Sequence, residues 1–157
     1  MPSELSRRGR IHHVGLAVES APPAIELYRA LGLEVVQTEI LEEQGIRATF
    51  LSGGAGQVEL LEALRPDSPV GRFLARRGPG MHHICIETDD LEATLRDLEA
   101  RGLELVDHAP RRGIQGRVAF LHPRAGFGVL IELIEVSGPA DGERRPAPPA
   151  AGPERAA

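Results

Sequence analysis

The chain has 157 residues, a 41% apolar fraction, a formal net charge of −5 and one cysteine, Cys85. That is enough for one domain or two fused half-domains around a core of Leu, Val, Ile and Ala, since aromatics make up 3% and tryptophan is absent. It excludes an intrachain disulfide, a basic stripe for nucleic acid and, with no apolar run near about 18 residues, a membrane-crossing helix.

Residues 1–9 are polar and read as a flexible leader without the apolar run of a secretory signal, so the expected setting is cytoplasmic. A strand is predicted at 11–18 (IHHVGLAV). Pro22 and Pro23 suit the first turn of a helix, where a missing N–H is not needed. Ile25, Tyr28 and Leu31 fall on one helical face, and Gly32 suits the residue just past the helix end. Strands follow at about 33–40, 46–52 and 57–62, with the GGAG at 53–56 as a turn. A short connecting helix is predicted over 69–77.

The order then repeats. A strand at 82–88 leads to an N-cap at Asp89 or Asp90, and Leu91, Leu95 and Leu98 mark a helical face ending at Gly102. Strands are predicted near 103–107, 117–121 and 128–135. His83 lies 70 residues after His13, and Gly102 lies 70 after Gly32. An internal repeat of this size means two copies of one unit, neither able to bury its apolar face alone. The expected fold is α+β: two tandem βαβββ modules (10–65 and 80–136, joined by a linker at 66–79) forming a curved mixed sheet with helices outside. Residues 137–157 carry 5 of the 13 prolines and no large side chain beyond arginine and glutamate, and read as a disordered tail.

Strand alternation sorts the side chains. His13, Gly15 and Ala17 share one face of the first strand, and His83, Cys85 and Glu87 share one face of its counterpart. Val58 and Leu60 of VELLE (58–62), like Ile131 and Leu133 of IELIE (131–135), would face helices, which turns Glu59 and Glu132 inward. An inward carboxylate among Leu and Ile is costly unless it is paired or holds a cation. Two such carboxylates and two imidazoles, one of each per repeat, point to a divalent metal: Co, Mn, Ni, Zn or Fe rather than Ca. His12 and His82 read as structural or supporting side chains, His108 and His122 as loop residues, and Cys85 as a small filler.

These stretches, together with EEQGI (42–46), DSPVGRFL (67–74), GMHHICIE (80–87) and FLHPRAGFGVLIEL (120–133), resemble the vicinal-oxygen-chelate superfamily, and within it the methylmalonyl-CoA epimerases. The resemblance covers nearly all of 11–134. It implies metal ligation by His13, Glu59, His83 and Glu132, with cobalt the first expectation and Mn, Ni or Zn as alternatives. The family often has Gln where Glu59 stands. It implies catalysis by Glu43 and Glu132, substrate binding by Arg124 where the family usually has Lys, and a CoA-thioester substrate. A homodimer is expected because such sheets expose edges and symmetric pairs are common, and charge and hydropathy give no expectation of nucleic-acid or membrane partners. The reaction implied is interconversion of (R)- and (S)-methylmalonyl-CoA by metal-assisted proton transfer through an enolate. Two other readings use the same frame: a glutathione-dependent lactoylglutathione lyase and a non-catalytic binding protein. An Fe(II) ring-cleaving dioxygenase fits less well, since those sites use two His and one carboxylate.

Overall fold

The computed structural model describes residues 9–136. The expectations for a flexible leader and a disordered tail fall on residues 1–8 and 137–157, outside the described residues. The first module runs β1 (Arg10–Val18), α1 (Ala21–Ala30), β2 (Glu34–Leu41), β3 (Ile46–Ser52) and β4 (Gln57–Ala63). A linker helix, α2 (Pro69–Arg77), leads to β5 (Gly80–Glu87), α3 (Leu91–Ala100), β6 (Arg111–Arg112), β7 (Arg117–Leu121) and β8 (Leu130–Glu135).

All strands join one curled sheet of 8 strands in the order β2-β3-β4-β1-β5-β8-β7-β6. Within each module the first strand pairs in parallel with the last, β1 with β4 and β5 with β8, and the remaining pairs are antiparallel. The modules meet where β1 and β5 pair antiparallel, so the seam between the repeats is itself hydrogen-bonded sheet.

The sheet is apolar on both faces. On the convex side, Leu16, Val58 and Leu60 pack against Ala21, Ala24, Ile25 and Tyr28 of α1. Leu91, Leu95 and Leu98 of α3 do the same against Ile131, Leu133 and Ala119. Here the helices lie outside, as the repeat implies. The linker helix does not. Val70, Phe73 and Leu74 of α2 pack on Ala17, Ala48, Phe50 and Leu61, which closes one end of the concave face. Ser68 caps α2 by accepting from Gly71 N at 2.9 Å.

The repeated ExxE has a division of labour that spacing of three explains. Glu59 and Glu62 point to opposite faces of β4, as Glu132 and Glu135 do on β8. The second glutamate of each pair binds the first backbone N–H of its own module's helix: Glu62 Oε1 accepts from Ala21 N at 2.9 Å, and Glu135 Oε2 accepts from Leu91 N at 2.8 Å. Those N–H groups lack a partner within the helix, and a carboxylate also complements the positive helix end. Asp90, rather than Asp89, supplies the side-chain cap of α3 through Ala93 N.

One predicted strand is corrected. Residues 103–107 form a single bridge, Leu105 to Leu121, and no strand. The Asp107 carboxylate takes the Phe120 N–H at 2.9 Å, where a pairing strand would offer its carbonyl, and Pro110 has no N–H to give. The chain returns to the sheet only at the two-residue β6.

Candidate metal centre

His13 on β1, Glu59 on β4, His83 on β5 and Glu132 on β8 converge on the concave face, and all four are less than a tenth exposed. Each comes from one of the four central strands of the sheet. His13 Nε2 lies 3.0 Å from Glu59 Oε2 and 3.3 Å from Glu132 Oε2. His83 Nε2 lies 3.1 Å from Glu59 Oε2 and 2.9 Å from Glu132 Oε2. The two Nε2 atoms are 3.0 Å apart, and the four ligating atoms all fall within 4.8 Å of one another.

Small neighbours make room for the rings. Gly15 is the cross-strand partner of His83, and Cys85 is that of His13. A Cβ at Gly15 would lie 2.1 Å from His83 Cε1. Cys85 is fully buried, and burial followed by the Glu132 and Glu59 charges pushes its thiol up, which suits a filler and not a nucleophile.

With no cation, protons take its role. Burial alone would lower His83, but hydrogen bonds to Glu132 and Glu59 outweigh it and push the imidazole up to about 9. The same balance raises His13. Burial would raise both carboxylates, yet the imidazoles hold Glu132 down at about 2 and lower Glu59 as well. A donor set that binds positive charge this strongly fits a dication: two neutral imidazoles, two carboxylates, and burial that makes an uncompensated charge costly.

The signs give a testable stability profile for the metal-stripped protein. His83, raised from 6.5, contributes stability that is fully present below 6.5 and is lost as pH rises through 9. His82, lowered by burial and then by the His83 charge to about 4, contributes stability present above 6.5 that is lost as pH falls toward 4. The melting temperature in chelator is therefore expected to peak near pH 6.5. Cobalt should reverse the alkaline decline, because it takes the deprotonated rings. A chelator-treated protein whose melting point rises steadily to pH 9 would contradict this balance.

The cluster opens into a cavity of about 270 Å³ whose walls include Leu41, Gln44, Phe50, Val70 and Phe120. Glu43 is not brought to the cluster. It is exposed in the turn between β2 and β3, one residue before the cavity-lining Gln44. Arg65 steadies this turn by donating to the carbonyls of Glu42 and Glu43 at 2.9 and 3.3 Å. Arg124 is also exposed, 3.7 Å from Glu104, and does not line the cavity.

The cationic wall is instead Arg111 and Arg112. The Arg111 guanidinium stacks over the Phe120 ring at 5.0 Å, and Phe120 in turn lies edge-on to His83. Beyond them Gln115 donates to Gln37 and Gln57 across the mouth of the sheet at 3.0 and 3.1 Å. These residues were missed from sequence, although the offset of 70 held the signal: 111–115 is the counterpart of 41–45, the turn that carries Glu43 and Gln44.

Fold and centre together define a class. The sequence pattern of the Glyoxalase/Bleomycin resistance protein/Dioxygenase superfamily matches residues 12–120, and the chain belongs to that superfamily. Within it, several of the similar proteins are methylmalonyl-CoA epimerases. The chain is 37% identical over 134 residues to the mitochondrial methylmalonyl-CoA epimerase of Mus musculus, covering 83% of this chain and 75% of that protein. The methylmalonyl-CoA epimerase structure from Mycobacterium tuberculosis superposes with a TM-score of 0.76 at 40% identity, covering 82% of this chain and 88% of that one. A Streptomyces coelicolor methylmalonyl-CoA epimerase variant, solved in complex with 2-nitronate-propionyl-CoA, superposes at 0.75 with 43% identity, covering 82% and 94%. Among the described residues, no helix is long and apolar enough to cross a membrane.

Proposed function

We propose that the chain is an epimerase that interconverts (R)- and (S)-methylmalonyl-CoA, with His13, Glu59, His83 and Glu132 holding a divalent ion, cobalt first among the candidates. The observation that carries the reading is the buried convergence of two imidazoles and two carboxylates in a chain related to enzymes of that name. When bound, the ion would supply Lewis-acid polarisation of the substrate's thioester and carboxylate oxygens.

The chain's own groups supply the proton transfers. Inversion at C2 needs a base on one face of the substrate and an acid on the other. Glu132, fixed on β8 inside the cavity, serves one face. Glu43 serves the other, and its support is its seat in the Arg65-steadied turn at the cavity rim beside Gln44. The glutamate that is ionised takes the C2 proton, the carbon becomes planar, and the other glutamate, which enters the step as the carboxylic acid, returns its proton from the opposite side and is left as the carboxylate. Phe50, Val70 and Ile134 line the cavity and keep water from the carbanion. Arg111 and Arg112 on the wall hold the substrate's anionic groups, and Arg124, exposed on the loop between β7 and β8, meets a phosphate further out. The reading includes a cytoplasmic homodimer, in which the edge strand β2 with its exposed Val36 and Ile40 is the surface to test by sedimentation.

The deciding experiment is proton–deuterium exchange at C2 of methylmalonyl-CoA, with and without chelator. Exchange that chelator abolishes supports the reading. No exchange, with turnover of a glutathione hemithioacetal, would assign the lyase instead. Glu43→Gln is expected to cut epimerisation by about 10²–10⁴, the usual worth of one acid–base group, with cobalt affinity unchanged. A variant that epimerises at the normal rate would remove Glu43 from the mechanism.

A further inference from the structure

Two histidines take no part in the chemistry above, yet both touch its ligands. His12 and His82 are each the extra residue of a β-bulge in the seam. The register runs Ile11↔Ile86 and then His13↔Cys85, passing over His12; it runs Gly15↔His83 and then Leu16↔Met81, passing over His82. Strict alternation would send both rings to the convex face. A bulge breaks alternation and re-aims a side chain. His12 Nδ1 thereby lies 2.8 Å from His13 Nδ1, and His82 Nδ1 lies 3.0 Å from His83 Nδ1. Phe73 of α2 packs edge-on against the His82 ring at 5.0 Å and steadies it.

In both ligand histidines Nε2 points to the centre, so the remaining ring nitrogen is Nδ1. A neutral imidazole that offers a bare Nε2 carries its proton on Nδ1, and that N–H needs an acceptor. Ligand histidines usually find one in a carboxylate or a backbone carbonyl, which orients the ring and sets its tautomer. Here the group at hydrogen-bond distance is another imidazole. It accepts without adding a third negative charge beside Glu59 and Glu132.

Resting on the metal-centre reading, we propose that His12 and His82 are positioning residues: each accepts the Nδ1–H of the histidine that follows it and locks that ring with Nε2 bare toward the ion. The bulge is the device that makes this contact, and it occurs once in each repeat.

The test uses the full chain and cobalt titrations by calorimetry at one pH. His82→Phe and His12→Phe keep a flat ring and lose the acceptor; each is expected to weaken cobalt binding about 10–100-fold. His82→Asn and His12→Asn put a carbonyl oxygen close to the lost Nδ1 and are expected to restore affinity close to wild type. A second readout is the nitrogen-15 spectrum of the histidine rings, with zinc and without metal. His12 and His82 should show a bare Nδ1 and a protonated Nε2 in both states. Cobalt affinity unchanged in both Phe variants would overturn the proposal. So would Asn variants as weak as the Phe ones, which would mean packing alone, or a proton on Nδ1 of His12 and His82. A wild-type chain that takes up no cobalt would overturn the metal reading itself, and is told apart because no variant then differs from it.

Discussion

Gly15→Ala is expected to strip the protein of metal while leaving the sheet folded. Gly15 lies in the central strand β1, directly across from His83, and an added Cβ would stand 2.1 Å from Cε1, 2.3 Å from Nδ1 and 2.7 Å from Nε2 of that ring. Ordinary carbon contacts need about 3.5 Å, so the ring must swing away by more than about 1 Å. Strand β1 cannot yield, because β4 and β5 bind it on both sides. A displacement of that size costs about 100-fold in a positioned catalytic group, and His83 would also leave both carboxylates. We expect cobalt affinity and kcat/KM each to fall at least about 100-fold. Overpacking costs about 1–3 kcal/mol, and the gain of Ala over Gly within a strand returns about 0.5–1 kcal/mol of it, so the far-ultraviolet spectrum should be unchanged. A Gly15→Ala protein that binds cobalt like wild type would mean His83 is not where ligation occurs.

The two inward glutamates should answer differently to the same change. Glu132→Gln removes a carboxylate read as both ligand and proton carrier, and turnover should fall by about 10³ or more, at the upper part of the range for one acid–base group. Glu59→Gln removes only a ligand charge. An amide oxygen still ligates, and the resemblance places Gln at that position in many relatives, so most of the turnover should survive with weaker cobalt binding. Epimerisation rates and cobalt calorimetry on the two variants check this. Equal losses in both would mean that Glu132 acts through the ion alone.

How far the sequence reveals this depends on which interactions are local. The repeat, the strand alternation and the helix faces are local patterns, and they carry the two modules, the convex helices and the inward turn of His13, Glu59, His83 and Glu132. Alternation fails at His12 and His82, because a bulge is set by pairing between β1 and β5 and leaves no mark in either strand alone. The strand expected at 103–107 gives way to a side chain, Asp107, that takes the Phe120 N–H across the sheet. The linker helix shows its apolar stripe of Val70, Phe73 and Leu74, but nothing in that stripe says which face of the sheet it will cover. The same holds for the ExxE pairs: their spacing implies opposite faces, while the helix ends that Glu62 and Glu135 bind are 41 and 44 residues distant in the chain.

The pairing of β1 with β5, which resumes after each of its two bulges, has a consequence for traffic. A centre at the junction of two lobes is commonly reached by swinging the lobes apart, but here that motion would break a run of backbone hydrogen bonds from Arg10 opposite Glu87 to Ala17 opposite Gly80. The framework therefore stays shut along its midline. Guests must come and go past the rim, where the Gln115 bridge can part without unzipping a strand.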